Sequence, residues 1–139
     1  MRTLELRETV VATLKAHAGL AALLATDPLD GTPAVFDHVP QDAAFPYVLV
    51  GEPVGVDHDT DDTLGWDAEV TIHQWSRFRG FGEVERIQRE TDEALNRAEP
   101  VVVDARIVTL HRVSVDGVLD PDGLTRHGIH RFRAIVDEL

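Results

Sequence analysis

Residues 108–136 read VTLHRVSVDGVLDPDGLTRHGIHRFRAIV, and the pattern of this stretch decides the fold. Two β-rich runs, 108–119 and 124–136, flank Asp120-Pro121-Asp122-Gly123. Proline at the second turn position and glycine at the fourth suit a type I turn, so the segment predicts a long antiparallel hairpin. Alternate residues of a strand share a face. In the second arm Phe132, Ala134 and Val136 therefore go with His130 to an apolar side, while Thr125, His127, Arg131 and Arg133 line the other. His127 and His130 have opposite parity and cannot jointly hold a metal without a bulge.

Upstream, WDAEVTIHQW (66–75) sets Trp66, Ala68, Val70 and Ile72 against Asp67, Glu69, Thr71 and His73. One face is buried and one is wet. Asp67 and Glu69 are the expected cross-strand partners of the arginines. AVFDHV (34–39) reads as a short strand. YVLVGEPVGV (47–56) reads as one strand with Val48, Val50, Val54 and Val56 on a single face. Pro53 and the two glycines place that strand at an edge or give it a bulge.

Three helices complete the pattern. Over 3–16, Leu6, Val10 and Leu14 recur every four residues with Val11 beside them. Gly19 is expected to interrupt this helix, and LAALLA (20–25) to form a second. The third covers about 82–98, with Val84, Ile87, Thr91, Leu95 and Ala98 as its stripe. Glu85/Arg89 and Glu93/Arg97 are its expected surface pairs. The order predicts an α+β fold: a mostly antiparallel sheet of about five to six strands, with the N-terminal helices and one central helix packed on it. At 139 residues the expected organisation is a single domain over 1–139.

Composition excludes several classes of chemistry. The absence of cysteine removes disulfides, thiolate nucleophiles and cysteine zinc sites. No apolar run reaches membrane-span length, so no membrane partner is expected. The first ten residues carry acids and arginine rather than an apolar core, so no signal peptide is expected. Net charge is −12, from 25 acids against 13 bases. Nucleic-acid binders draw affinity from a basic face, and this chain has at best a local basic stripe.

Each candidate site also has a plainer explanation. DHDTDD (57–62) alternates aspartates with a histidine but lacks the glycine and terminal glutamate of an EF-hand, so it reads as a solvated acidic loop. The seven histidines show no HExxH or paired helical spacing, and no metal is expected. Ser76 and Ser114 are the only serines, and neither sits in a nucleophile elbow. No phosphate loop or dinucleotide motif is present, so no enzyme and no cofactor are expected. Trp75, Arg77, Phe78, Arg79 and Phe81 mix aromatics with arginines. That mixture suits a single-stranded nucleic-acid platform or a protein contact, and the acidic charge favours the protein contact.

Four pieces in order carry a family resemblance: GLAALLA (19–25), VFDHVPQDAAFPYVLVGE (35–52), TIHQWSRFRGFGEVERI (71–87) and LDPDGLTRHGIHRFRAIV (119–136). Together they resemble the tail terminators of long-tailed phages and gene transfer agents, small tail-completion proteins. The resemblance implies a non-catalytic virion protein, assembled in the bacterial cytoplasm into a ring, usually a hexamer. That ring caps the tail tube, ends its polymerisation and docks to the head connector, while DNA passes through its lumen without specific binding. The implied partners are further copies of the chain, the tail tube protein and the connector. ATDPLDGTP (25–33) and VDHDTDDTLG (56–65) depart from the family pattern in being longer and more acidic.

Under that expectation, Trp75, Arg77, Arg79, Arg126, His127, Arg131 and Arg133 are candidates for a subunit or partner interface. Asp57, Asp59, Asp61 and Asp62 are candidates for the lumen or its rim. The alternative is a phage-derived, non-catalytic interaction adaptor outside any particle.

Overall fold

The computed structural model describes residues 1–139. The elements run α1 (Thr3–Ala16), α2 (Ala18–Ala21), β1 (Val35–Phe36), β2 (Tyr47–Val50), β3 (Val54–Asp57), β4 (Gly65–Ser76), α3 (Gly82–Leu95), β5 (Ala105–Leu119) and β6 (Arg126–Glu138). The six strands form one sheet in the order β1-β2-β4-β6-β5, with β3 beside the first half of β4. Only β1–β2 is parallel. This is the α+β architecture expected from the hairpin and the amphipathic helices.

β4 is the axis of the sheet because its alternation is the longest and cleanest. Trp66, Ala68, Val70 and Ile72 are all buried, and β6 answers them with Phe132, Ala134 and Val136. Leu6, Val10 and Leu14 of α1 and Ile87 and Leu95 of α3 close over that face to make the core. Arg7 fastens α1 to the sheet: its Nε and Nη2 donate to the Val50 carbonyl at 3.0 and 2.8 Å, and Nη2 also reaches the Asp37 carbonyl. No helix is long and apolar enough to cross a membrane.

Three sequence expectations change. The first helix breaks at His17, whose backbone is extended (φ −79°, ψ 108°), and Gly19 lies inside α2. Helix α3 stops at Leu95, and Arg97 takes a positive φ of 64°. Its surface pairs do not form, and Glu93 instead approaches His17.

The third change concerns 47–56, which is two strands. Continuing the β2 register would set Val54 opposite Ala68, yet it pairs with Glu69. One extra residue at Gly51-Glu52-Pro53 reverses the side-chain parity. Val48 and Val50 are buried, whereas Val54 and Val56 are 66% and 62% exposed on the opposite face.

Candidate interaction face of the sheet

α1 and α3 cover one face of the sheet, and the other carries no helix. The register sets the second face out residue by residue. Tyr47, Trp75, His127 and Val118 stand in one row across β2, β4, β6 and β5, and Leu49, His73, Ile129 and Asp116 in the next.

The first row is an aromatic stack. The Trp75 and His127 rings lie 3.7 Å apart and 8° from parallel. Tyr47 flanks Trp75 at 6.5 Å, and Phe45 and Phe36 flank Tyr47 at 5.0 and 5.9 Å. The Arg77 guanidinium covers the Phe45 ring at 4.2 Å, and its Nε donates to Thr125 Oγ1 at 3.3 Å. His73 Nδ1 and His127 Nε2 are 2.8 Å apart, so one of the pair donates and the other accepts. Burial lowers both imidazole pKa values, with the Arg131 charge adding to the effect at His73 and the His73 charge at His127.

Further along the same face the arginines meet the acids predicted for them. Arg133 Nε donates to both Asp67 carboxylate oxygens at 2.9 and 3.0 Å, and Nη2 adds a further bond. This hydrogen bonding holds the Asp67 carboxyl below its ordinary pKa. Arg131 pairs more loosely with Glu69, at 3.8 Å. Asp67, Glu69, Arg133 and His111, with Val113 and the displaced Val54 and Val56, line an open groove.

Arg126 does not belong to this face. It stands opposite Ser76, on the helix side of the sheet, where its Nη1 donates to the Phe78 and Leu124 carbonyls at 3.3 and 2.9 Å. Its guanidinium lies 5.9 Å from the centre of the Phe81 ring. Arg79 is exposed, with neither hydrogen bond nor ion pair in its own chain. The sheet thus brings Trp75, Arg77, His127, Arg131 and Arg133 together and separates Arg126 and Arg79 from them.

The four loop aspartates also divide. Asp57 Oδ1 accepts from the Asp59 N–H at 3.0 Å, and Asp59 Oδ1 from the Gly65 N–H at 2.8 Å. Those two shape the loop, while Asp61 and Asp62 sit exposed at its tip. At the opposite end of β4, Asp122 organises the hairpin turn. Its hydrogen bonds from Thr125 and the Leu124 N–H bring its pKa down to about 2.

Behind the sheet runs a buried polar chain that sequence reading did not single out. Gln74 Nε2 lies 3.3 Å from His130 Nδ1, and His130 Nε2 lies 3.1 Å from Asp92 Oδ1, where Arg112 also binds. Gln88 Nε2 donates to Gln74 Oε1 at 3.4 Å and to the Asp116 carbonyl at 2.8 Å. A neutral His130 carrying its proton on Nε2 satisfies both neighbours. Gly128 makes room, since a Cβ there would stand 2.4 Å from Gln74 Oε1 and 2.7 Å from Gln88 Nε2. The available signal was parity, which puts Gln74 and His130 on the apolar side of their strands.

A helix-free sheet face of stacked aromatics and ion pairs, backed by the Gln74–His130–Asp92 chain, has the make-up of a protein contact surface. The family model for "Tail completion protein gp17" matches residues 8–137. The tail completion protein gp17 of Bacillus phage SPP1 is 25% identical over 97 residues, 70% of this chain and 72% of that protein. A chain in the virion of a native gene transfer agent particle superposes with a TM-score of 0.84 at 26% identity, covering 95% of this chain and 94% of that one. The chain belongs to the tail completion protein gp17 family, and its role is structural, in the tail of a phage-type particle.

Proposed function

We propose that the chain caps the tail tube as a ring, hexameric in the assembled particle. This ring ends tube polymerisation and presents the surface to which the head connector docks, with DNA passing through its lumen. The carrying observation is the family match over residues 8–137. The likeness to a gene-transfer-agent virion chain over nearly the whole length of both proteins supports the same reading. The chain acts as one domain over 1–139, without catalysis or cofactor. Its partners are its own copies, the tail tube protein and the connector.

A closed ring requires two different complementary patches on each subunit. The Trp75, Arg77 and His127 end of the sheet, with Arg79 beyond it, is one candidate, since Trp and Arg dominate interface energetics. Arg131 and Arg133 contribute less charge there because Glu69 and Asp67 already neutralise them. Arg126 contributes from the helix side. The acidic loop bearing Asp57, Asp59, Asp61 and Asp62 is assigned to the lumen or its rim, where negative charge weakens attraction to passing phosphates.

Deleting the gene and imaging the particles tests the reading. The expected products are headless tails of abnormal, often excessive, length; complete particles of normal length would overturn it.

A further inference from the structure

On the helix side of the molecule, one imidazole faces two carboxylates. His17 closes α1 with its extended backbone, and its Nε2 lies 2.9 Å from Glu90 Oε2 and 4.0 Å from Glu93 Oε2. One ligand atom from each residue falls within 4.8 Å of the other two. Glu90 and Glu93 are three residues apart and share a face of α3. Gly19 leaves space for this convergence, because a Cβ there would stand 2.2 Å from Glu90 Oε2.

We propose that His17, Glu90 and Glu93 bind a divalent transition-metal ion, with zinc as the best match and water in the remaining position. An imidazole with two carboxylates is a nitrogen–oxygen donor set that zinc accepts, whereas calcium and magnesium take oxygen ligands. Zinc bonds to nitrogen and oxygen are about 2.0–2.2 Å long, so tetrahedral ligand atoms stand roughly 3.3 Å apart. The two separations at His17 bracket that spacing, and the Glu90 and Glu93 ligand atoms lie within 4.8 Å of each other, so side-chain adjustment completes the set.

Charge points the same way. An ion pair accounts for Glu90 alone, yet Glu93 is drawn toward the same imidazole beside a like charge. Two carboxylates beside one imidazole give the cluster an excess of negative charge, which a divalent cation offsets. His17 and Glu90 are half-buried and Glu93 is exposed, so the site is organised and open to solvent. Ligands 73 residues apart in sequence would be joined across the α1–α2 corner and α3, so the metal adds to folding stability.

The test is calorimetric titration of EDTA-treated full-length protein with zinc chloride, alongside thermal unfolding with and without zinc. One equivalent bound per chain and a raised melting temperature are expected. Both are lost in His17→Ala and in Glu93→Gln, and the second variant keeps the metal-free melting temperature because Glu93 is exposed. His127→Ala, which removes half of the His73–His127 pair on the opposite face of the sheet, retains the zinc response. Absence of zinc binding in the parent protein, a response surviving His17→Ala or Glu93→Gln, or one abolished by His127→Ala would each overturn the site.

Discussion

The His130 imidazole is fully enclosed between Gln74, Asp92 and Phe132, and its pKa is lowered. Loss of hydration outweighs the pull of Asp92, and Arg112 opposes protonation further. His73 and His127 are lowered as well, chiefly by burial; Arg131 acts on His73, and His73 and Asp120 act in opposite senses on His127. Histidine ordinarily titrates near 6.5. Below that pH the unfolded chain binds protons that the native state refuses, so acid favours unfolding. This contribution is complete above pH 6.5 and is lost as pH falls through 6.5 toward the folded values. The urea midpoint should therefore decline between pH 7 and pH 5, and His130→Gln should flatten part of the decline. A level profile in the parent protein would contradict the assignment. Parity alone placed His130 inside and His127 outside; their partners depend on which strands lie alongside.

At the scale of elements, β4, α1, α3 and the closing hairpin were legible because each carries many turns or pairs of consistent periodicity. The 47–56 segment was not, although its composition announced a bulge. Alternation counts residues, and a single extra residue at Gly51-Glu52-Pro53 leaves the count intact while exchanging the faces. Val48→Ala and Val50→Ala should each cost about 2 kcal/mol or more. Val54→Ala and Val56→Ala should stay within about 0.5 kcal/mol. Denaturant titration of the four variants checks this, and equal losses at Val48 and Val54 would argue for the continuous strand. The helix break lies at His17 rather than Gly19: a glycine signals freedom, but the extended residue is the one whose imidazole meets Glu90.

Across the whole molecule, β4 separates an acidic tip from an aromatic, arginine-bearing end by roughly 40 Å, at about 3.4 Å per residue. A subunit polarised in this way suits head-to-tail contacts within the proposed ring. Because Asp57 and Asp59 hold the loop by their own hydrogen bonds, the clean probe of its charge is the tip. Lysine at both Asp61 and Asp62 should leave tail length and particle number unchanged while reducing DNA delivery. Delivery at the parental level would remove the loop from the lumen or its rim. The sequence by itself determined the fold class, the two faces of β4 and β6, the absence of cysteine chemistry and the family likeness, since all of these follow from local periodicity, composition and residue order. Only the tertiary structure decided that Trp75 stacks on His127 and that His17 meets Glu90 and Glu93. Those contacts join residues dozens of positions apart, and strand register and helix packing, rather than any local pattern, bring them together.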